Sequence, residues 1–492
     1  VAILLALITK EVYVSLFFGI FVGAMFYAEG NPINALGDLF EVMSDKVGAN
    51  VPIIVFLVIL GIFVVLMQKS GGSKAYGDWA TKRIKSKKGA LTATAGLGCL
   101  IFVDDYFNCL TVGSVMRPVT DKFKVSHSKL AWIIDSTAAP VCIIAPISSW
   151  AAAVGSNLEG SDSIATFIKT IPFNIYALLT IALVFVLCLT KLDFGLMKKH
   201  EKIADDTGNL DAGSEANNFD DLENVVPNSN GKVSYLIVPV VTLIVCCVLS
   251  MIYVGYFYNW DTEHFTTVAQ SSSVIEAFSN CDAGYSLAIG SIVALIIVSV
   301  YYIATKAISF KDITDSFTKG FKTMVPSILI LTFAWTISGI MGAKGGYLDA
   351  QGFIDTTIRE IPQSLQALFP VIFFALACGI AFATGTSWGT FGVLVPIITM
   401  PSLLGGSSTI AVLSVAATLG GAVFGDHVSP ISDTTIMSST GANCNHIDHV
   451  KTQFPYAGLV AIVCAVTYLI AGFITIAIES YALSALLTIV IG

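Results

Sequence analysis

Residues 52–72 read PIIVFLVILGIFVVLMQKSGG, and residues 326–346 read PSILILTFAWTISGIMGAKGG. Each stretch begins at a proline, continues through mostly apolar residues and ends at a Gly-Gly pair, with identical spacing. A transmembrane helix needs about 20 predominantly apolar residues, and both stretches have that length and composition. The pair is therefore the first indication of a helical membrane protein that contains an internal repeat.

The composition of the whole chain agrees with a membrane location. Of its 492 residues, 55% are hydrophobic and 12% are charged, whereas soluble domains carry about 25% charged residues. Further uncharged stretches of spanning length lie at 171–190, 233–260, 283–305, 323–343 and 453–478. The first residue is Val1 rather than Met, which indicates that the chain starts inside a longer protein. We therefore expect an all-α polytopic membrane protein.

The repeat extends over most of the chain. The helix predicted at 11–27 aligns with 285–301 at the spacing of the two opening stretches. The tripeptide Pro-Ile-Ser occurs at 146–148 and again at 430–432. Because these landmarks follow one another in the same order, we predict two structural repeats joined by a polar cytoplasmic linker. The predicted organisation is a first repeat at 1–190, a linker at 191–232 and a second repeat at 233–492.

Loop charges indicate that the second repeat is inverted relative to the first. The loop at 68–88 is strongly basic, with Asp78 as its only acid, and its counterpart at 343–363 is mildly acidic. The other matched loops show the opposite signs, since 28–49 is acidic and 302–323 is basic. Basic loops stay on the cytoplasmic side of a membrane, so equivalent loops lie on opposite sides. Many secondary transporters are built from such inverted repeats.

Each predicted repeat contains a hairpin that enters and leaves the membrane on one side. Residues 89–122 hold two short apolar halves around Asp104 and Asp105, with basic residues at both ends, which favours a re-entrant hairpin. Its counterpart at 364–402 is interrupted at 384–389. Each hairpin is followed by a transmembrane helix that is broken near its middle, at 140–146 and at 425–430.

Polar side chains at these interruptions are the candidates for ion binding. A charged side chain in the hydrocarbon of a bilayer is costly, and the free ends of broken helices attract ions. The predicted ion-binding or substrate-binding residues are Asp104, Asp105, Asn108, Asp135, Ser136, Thr137, Ser148, Thr384, Thr386, Ser387, Trp388, Asp426, His427, Ser429, Ser432, Asp433 and Thr434. Carboxylate, amide and hydroxyl oxygens suit a hard cation. The predicted Na+ ligands are Asp105, Asn108, Asp426, Ser429 and Asp433.

Each of these groups also has a purely structural interpretation. Asp104 and Asp105 can be hydrated residues that cap a helix at the membrane interface. Asp135 can be paired with Lys129 or with a neighbouring helix. The segment 425–435 can be a cytoplasmic loop, and hydroxyl groups in membrane helices often bond to their own backbone.

Three histidines in the second half of the chain receive different interpretations. His427 lies inside the polar cluster and is available for proton exchange, because imidazole titrates near neutral pH. His446 and His449 lie close to Lys451. We expect both of them in a loop on the cytoplasmic side.

Three motifs carry a resemblance to a known family. They are FVDDYFN at 102–108, DSTAAP at 135–140 and GDHVSPISDTT at 425–435. They resemble the NhaC family of sodium/proton antiporters, within the ion transporter superfamily. The resemblance implies a bacterial inner-membrane protein that couples Na+ to H+. It also implies a scaffold part and a transport part in each protomer, an elevator mechanism and a homodimer. It also implies an alternative, because some relatives exchange organic anions or carry amino acids.

The expected function is secondary active transport rather than catalysis. The sequence contains no Walker A loop, no His-Glu-x-x-His pair and no Gly-x-Ser-x-Gly elbow, which argues against a primary pump and an enzyme. The favoured hypothesis is a Na+/H+ antiporter in which Asp105, Asp135 or Asp426 binds the two ions in turn. The alternative is a Na+-coupled carrier of small organic anions or amino acids, with Trp388 in contact with the substrate. We expect no cofactor and no nucleic-acid partner, only the transported ions, membrane lipids and, in the alternative, an organic substrate.

Overall fold

The computed structural model describes most of the chain. The described residues are 12–158, 163–190, 192–212, 230–259, 281–341, 363–399, 409–478 and 480–492, with 1, 5, 228, 264–266, 269, 271, 274, 277 and 348. The predicted external loop at 343–363 falls almost entirely outside them, and so does the linker from 213 to 227.

Helices make up nearly all of the described chain. They are α1 (Val12–Tyr27), α2 (Pro32–Ala49), α3 (Val51–Lys69), α4 (Gly72–Arg83), α5 (Lys87–Leu100), α6 (Asp105–Lys122), α7 (His127–Thr137), α8 (Ala139–Cys142), α9 (Ser149–Gly155), α10 (Ser163–Thr170), α11 (Ile175–Thr190), α12 (Gly195–Thr207), α13 (Ser234–Phe257), α14 (Ala283–Ala304), α15 (Phe310–Met341), α16 (Gln363–Gln366), α17 (Phe369–Thr384), α18 (Ser387–Thr399), α19 (Thr409–Val428), α20 (Asp433–Ala442), α21 (His446–Ala477) and α22 (Tyr481–Ile491). A 3-10 turn covers Ile171–Phe173, and the two-residue strands β1 (Tyr258–Asn259) and β2 (His264–Phe265) pair in antiparallel fashion. The prediction of a helical fold is confirmed.

Several of these helices are long and apolar enough to cross a bilayer. Within the described residues there are 6 such segments, or 7 if α1 and α2, which meet at an angle of 116°, form one span. The segments are Val51–Lys69, Ile175–Thr207, Ser234–Phe257, Gly284–Ala304, Thr409–Val428 and His446–Ala477. In α19 the apolar window is 83% buried inside the protein, against 33% in α13. α19 is therefore surrounded by other helices, whereas α13 presents most of its surface to the outside.

Serine residues set the start of the helix that follows each break. α7 ends at Thr137, and the next long piece, α9, begins after Ser148, whose hydroxyl accepts a hydrogen bond from the backbone N–H of Ala151 (3.0 Å). α19 ends at Val428, and α20 begins after Ser432, whose hydroxyl accepts from the N–H of Thr435 (3.2 Å). Such N-caps satisfy backbone donors that the helix itself leaves unpaired. Both serines of the repeated Pro-Ile-Ser tripeptide thus have the same structural role.

Packing divides the helices into two groups. The frame group consists of α1–α3 and α13–α15. In it, α3 and α15 touch backbone to backbone, since a Cβ added to Gly61 would lie 2.2 Å from the carbonyl oxygen of Gly320. The broken-helix group consists of α5–α9, α11 and α17–α21. The two groups meet chiefly where α18 packs against α15, and also where α9 packs against α3 and α14.

The first part of the predicted linker is an ordered helix. α12 buries Met197 and Ala204. Its Glu201 carboxylate accepts hydrogen bonds from the backbone N–H (2.8 Å) and the hydroxyl (2.7 Å) of Ser126, the N-cap of α7. α12 is therefore docked against the start of the first broken helix.

Candidate ion-binding site

The predicted site residues are buried inside the broken-helix group. Every one whose side chain the structure describes is at most 8% exposed. Asp433 is the first residue of α20, but its side chain lies outside the described part of the chain. The buried polar groups collect at the two breaks and at the tips of the two hairpins that precede them.

The second break holds Asp426 between hydroxyl groups of two other helices. Asp426 lies two residues before the end of α19 and is 1% exposed. Its Oδ2 accepts hydrogen bonds from the hydroxyls of Ser387 (2.8 Å) and Thr434 (3.2 Å). Ser387 starts α18 and Thr434 lies in the first turn of α20. The positive ends of two helices thus converge on one carboxylate, which they stabilise.

A glycine allows the second hairpin to approach this break. Gly385 has a φ of +67°, and a Cβ there would lie 2.4 Å from the carbonyl oxygen of Ile431. Both the backbone conformation and the space exclude a larger residue. The hydroxyl of Ser429 adds a second tie by donating to the carbonyl of Phe382 (2.8 Å). The interruptions of α17–α18 and α19–α20 therefore pack directly against each other.

Some predicted hydroxyls bond to backbone carbonyls of nearby residues. These bonds join Thr384 to Ile380 (2.8 Å), Thr137 to Ile133 (2.8 Å), and Ser148 to Cys142 (2.8 Å) and Ala145 (3.0 Å). Thr386 instead accepts from the backbone N–H of Gly389 (3.3 Å), and Ser136 is buried within α7. Hydrogen bonds of this kind hold the ends of the helices in place.

The tip of the first hairpin carries Asp104, Asp105 and Asn108, which are all 0% exposed. Asp105 starts α6, and Asn108 lies one turn further on. The amide nitrogen of Asn108 donates to the carbonyls of Ile101 in the tip (2.8 Å) and of Thr137 at the end of α7 (3.0 Å). Asn108 therefore ties this hairpin tip to the first break.

The first break holds a second carboxylate, Asp135, in a different environment. Asp135 also lies two residues before the end of its helix. Its Oδ2 accepts a hydrogen bond from Nε2 of Gln453 (2.6 Å) and lies 3.3 Å from Nε2 of His449. The same Gln453 nitrogen donates to the backbone carbonyl of His427 (2.6 Å), and Nδ1 of His427 lies 2.9 Å from the hydroxyl of Tyr176. We call these five residues, each at most 1% exposed, the Asp135 cluster.

The expectation that His446 and His449 lie in a loop is wrong. α21 already begins at His446, with the side chain of Asn445 as its N-cap. His446, His449 and Gln453 follow at spacings of three and four residues, so they share one helix face. That face turns toward the breaks, and Nε2 of His446 lies 2.8 Å from the carbonyl oxygen of Pro430. The spacing was the sequence signal that could have placed His449 and Gln453 in the site.

Lys129 is not the partner of Asp135, whose partners His449 and Gln453 come from the neighbouring helix α21. The ammonium group of Lys129 is fully buried and contacts the carboxylate of Asp193 instead. It lies 4.5 Å from the ring centre of Trp132 and 5.5 Å from that of Tyr456. The Tyr456 hydroxyl donates to the same Asp193 oxygen (2.7 Å). The charge of Lys129 is therefore balanced at the opposite end of α7.

Trp388 belongs to an aromatic cluster to which both halves of the chain contribute. Its ring centre lies 5.9 Å from that of Trp150 in α9 and 6.0 Å from that of Phe391 in α18. Both tryptophans are at most 2% exposed. Within the described residues, neither indole N–H has a hydrogen-bond partner.

The ligand atoms of a site determine which kind of ion it suits. Among the residues that the structure describes, no three His, Cys, Asp or Glu side chains are grouped so that they could hold a metal ion. The Asp426 site instead combines one carboxylate with hydroxyl oxygens, which are ligands for alkali and alkaline-earth cations rather than for transition metals.

Comparison with known proteins places the chain in a family. The family model described as the Na+/H+ antiporter family matches residues 150–473. An uncharacterized protein of Haemophilus influenzae is 38% identical over 507 residues, which cover 100% of this chain and 93% of that protein. The malate-2H(+)/Na(+)-lactate antiporter of Bacillus subtilis is 30% identical over 169 residues, 34% of each protein.

Among solved structures, the chain is similar to MtrF of Neisseria gonorrhoeae, whose description speaks of a class of antimetabolite efflux pumps. The TM-score is 0.46 at 14% identity, over 91% of this chain and 85% of that one. The family match spans the second hairpin and the second break, and the described helices include several that can cross a membrane. This multi-pass membrane protein is a secondary transporter, and it belongs to the Na+/H+ antiporter family.

Proposed function

We propose that the protein is a Na+/H+ antiporter whose Na+ binds at Asp426, Ser387 and Thr434. The observation that carries the proposal is the convergence of two hydroxyl groups from separate helices on one buried carboxylate. A hydroxyl can turn and offer its oxygen lone pairs to a cation, while the carboxylate supplies the charge. When Na+ leaves, the same hydroxyls donate hydrogen bonds to the carboxylate, as they do in the structure.

Three features support an architecture of two inverted repeats, at 1–190 and 233–492 around a linker at 191–232. Ser148 and Ser432 both cap the helix after a break. Asp135 and Asp426 both lie two residues before a helix ends. Each break also bonds to the hairpin that precedes it. We propose that the broken-helix group carries the ions past the frame group in an elevator motion, within a homodimer.

Ion pairs support the proposed orientation in a bacterial inner membrane. Lys87, in the basic loop at 68–88, pairs with Glu201 (2.8 Å) and Asp205 (2.9 Å) of the linker helix α12. Lys69 donates to the carbonyl of Asp312 (2.9 Å), which lies in the other basic loop. The basic loop at 68–88 thus contacts both the linker helix and the basic loop at 302–323. All three lie at one end of the molecule, which the positive-inside rule assigns to the cytoplasm. A cysteine introduced at the exposed Lys85 should be labelled in inverted vesicles, and labelling in intact cells would contradict this orientation.

A second candidate function is Na+-coupled exchange of a small organic anion. The observation that favours it is the buried pair of Trp150 and Trp388, whose indole N–H groups have no partner among the described residues and could donate to a carboxylate. The Bacillus subtilis relative is named a malate-2H(+)/Na(+)-lactate antiporter.

Purified protein in liposomes loaded with a pH-sensitive dye separates these functions. An inward Na+ gradient alone should make the lumen alkaline if Na+ exchanges for H+. If flux requires malate, lactate or an amino acid, the organic-anion function is correct. No flux under either condition would reject both proposals.

A further inference from the structure

The Asp135 cluster retains binding capacity that its own hydrogen bonds do not use. Within the described part of the chain, Oδ1 of Asp135, Nδ1 of His449 and Nε2 of His427 have no hydrogen-bond partner, although all three atoms are buried. Buried polar atoms are nearly always satisfied in folded proteins. A group of unsatisfied titratable side chains at a helix break inside a membrane protein therefore points to a function.

The neighbours of Asp135 are unsuited to a metal cation. The nitrogen of Gln453 that faces Oδ2 is an amide NH2 group, which can only donate. His449 must present an N–H to bond to the same oxygen, so its lone pair points elsewhere. A cation at this oxygen would meet the hydrogens of both neighbours. A proton, by contrast, can be added to the imidazole without displacing any of these groups.

We propose that Asp135 and His449 form the proton-binding site of the transport cycle, separate from the Na+ site at Asp426. Uptake of one proton converts the neutral imidazole into an imidazolium ion paired with the carboxylate. Release of that proton on the other side of the membrane restores the neutral ring, and no other covalent bond changes. The inference rests on the proposed antiport function and assigns each of the two ions to its own carboxylate.

Gln453 provides the connection between the two sites. Its amide nitrogen donates to Asp135 Oδ2 (2.6 Å) and to the backbone carbonyl of His427 (2.6 Å). His427 directly follows Asp426 in the last turn of α19. When the imidazolium forms, its positive charge draws the Asp135 carboxylate toward His449 and weakens the hydrogen bond from Gln453 without breaking it. The change reaches the peptide group beside the Na+ site through the second hydrogen bond of Gln453. Gln453 is therefore a positioning residue that couples proton binding to Na+ binding.

The groups that face the pair come from several helices. α19 contributes His427, α11 contributes Tyr176 through its bond to His427, and α20 contributes the Ser438 hydroxyl, 3.1 Å from Nε2 of His449. His446 lies one turn earlier on α21 and bonds to the hydroxyl of Ser439 (3.3 Å) rather than to Asp135. His446 is thus a matched control for His449, because it is the same residue type on the same helix face.

The test uses the full chain in liposomes and three measurements: proton flux driven by a Na+ gradient, exchange of labelled for unlabelled Na+, and the Na+ affinity as a function of pH. In His449→Gln we expect Na+-driven proton flux to fall about 100-fold, because a proton-transfer group is lost. Na+/Na+ exchange should persist, since it requires no proton. The decrease in Na+ affinity on acidification should disappear. His446→Gln should behave like the unmodified protein in all three measurements.

Two results would overturn the inference. One is a folded His449→Gln variant with normal proton flux and a normal pH dependence. The other is a folded variant that also loses Na+/Na+ exchange, because the pair would then belong to the Na+ site itself. If His449→Gln does not fold, Asp135→Asn is measured in the same way with the same expectations. An unmodified protein with no Na+-dependent proton flux rejects the proposed function instead, and that result is seen before any variant is compared.

Discussion

The two ends of α7 each bury a charged residue, but in opposite ways. At the start of the helix, Lys129 contacts the Asp193 carboxylate and two aromatic rings, and Tyr456 donates to the same carboxylate. At the end of the helix, Asp135 has hydrogen-bond partners on Oδ2, while its Oδ1 has none within the described residues. Both side chains are 0% exposed.

The difference separates a charge that stabilises the structure from one that is available for function. In a buried ion pair each charge is balanced by the other, and removal of one partner alone costs stability. A buried carboxylate with unused coordination capacity is costly to maintain in a membrane protein and is kept where it binds something. Changes near Lys129 should therefore affect folding, and changes near Asp135 or Asp426 should affect transport.

The largest effect is expected at Asp426. Asp426→Asn removes the only full negative charge of the proposed Na+ site, and Na+ affinity should fall by about 3 kcal/mol, more than about 100-fold. The melting temperature in detergent should change little, because the described partners of Asp426 are the neutral hydroxyls of Ser387 and Thr434. Asp315→Asn changes an exposed acid of α15 and is the matched control. Normal Na+-driven flux in Asp426→Asn would show that this buried carboxylate is not needed for transport.

The next largest effect is expected on stability at Asp193. Asp193→Asn leaves the buried ammonium group of Lys129 without a counter-charge, which should cost about 3 kcal/mol of unfolding free energy. A thermal melt in detergent measures it. Asp205→Asn removes a carboxylate from an ion pair in which the acid is 58% exposed, and it should change stability little. Equal melting temperatures for the two variants would show that the Lys129 pair is not structural.

A moderate effect is expected from the hydroxyls that face Asp426. Ser387→Ala and Thr434→Val should each weaken Na+ binding about tenfold, the value of one hydrogen-bonding or coordinating group on a charged partner. Ser414→Ala is the control, because Ser414 lies in the same helix as Asp426 but bonds only to the carbonyl of Ile410 among the described contacts (2.8 Å). Isothermal Na+ titration of the purified proteins distinguishes the three. An equal loss in Ser414→Ala would mean that the effect is not specific to the site.

The smallest effect is expected when the whole buried pair is replaced. The double variant Lys129→Met with Asp193→Asn removes both charges and keeps apolar bulk against Trp132, so its stability should lie within about 1 kcal/mol of the unmodified protein. Its Na+-driven flux should also persist. If the double variant is as unstable as Asp193→Asn alone, then lost packing rather than an unpaired charge explains the loss of stability at the start of α7.

The sequence was sufficient for features that depend on local chemistry. Apolar stretches of spanning length predicted helices. The polar residues singled out at 104–108, 135–137 and 426–434 are buried where their side chains are described, while their role in ion binding stays a prediction. An apolar run and a Pro-Ile-Ser tripeptide determine the backbone structure of the residues next to them. Their consequences, such as the N-caps at Ser148 and Ser432, follow from neighbours a few residues away.

The linker helix α12 and the histidines of α21 show where local reasoning fails. α12 is polar overall and reads as a linker, yet it is docked through Glu201 onto the N-cap of α7. His446 and His449 stand beside Lys451 and read as loop residues. Their spacing shows that they share a helix face with Gln453. The residues that this face contacts, however, are distant in the sequence.

The sequence by itself determined that this is a helical membrane protein with acids at the interruptions of its helices. Only the tertiary structure decided which neighbour each acid received: hydroxyls for Asp426, and His449 and Gln453 for Asp135. The Asp135 and His449 side chains meet across 314 residues of sequence. A bilayer core offers no water to satisfy a buried polar group, so the partner must come from whichever helix packs alongside. That choice is made by the packing of the whole chain, and no local pattern records it.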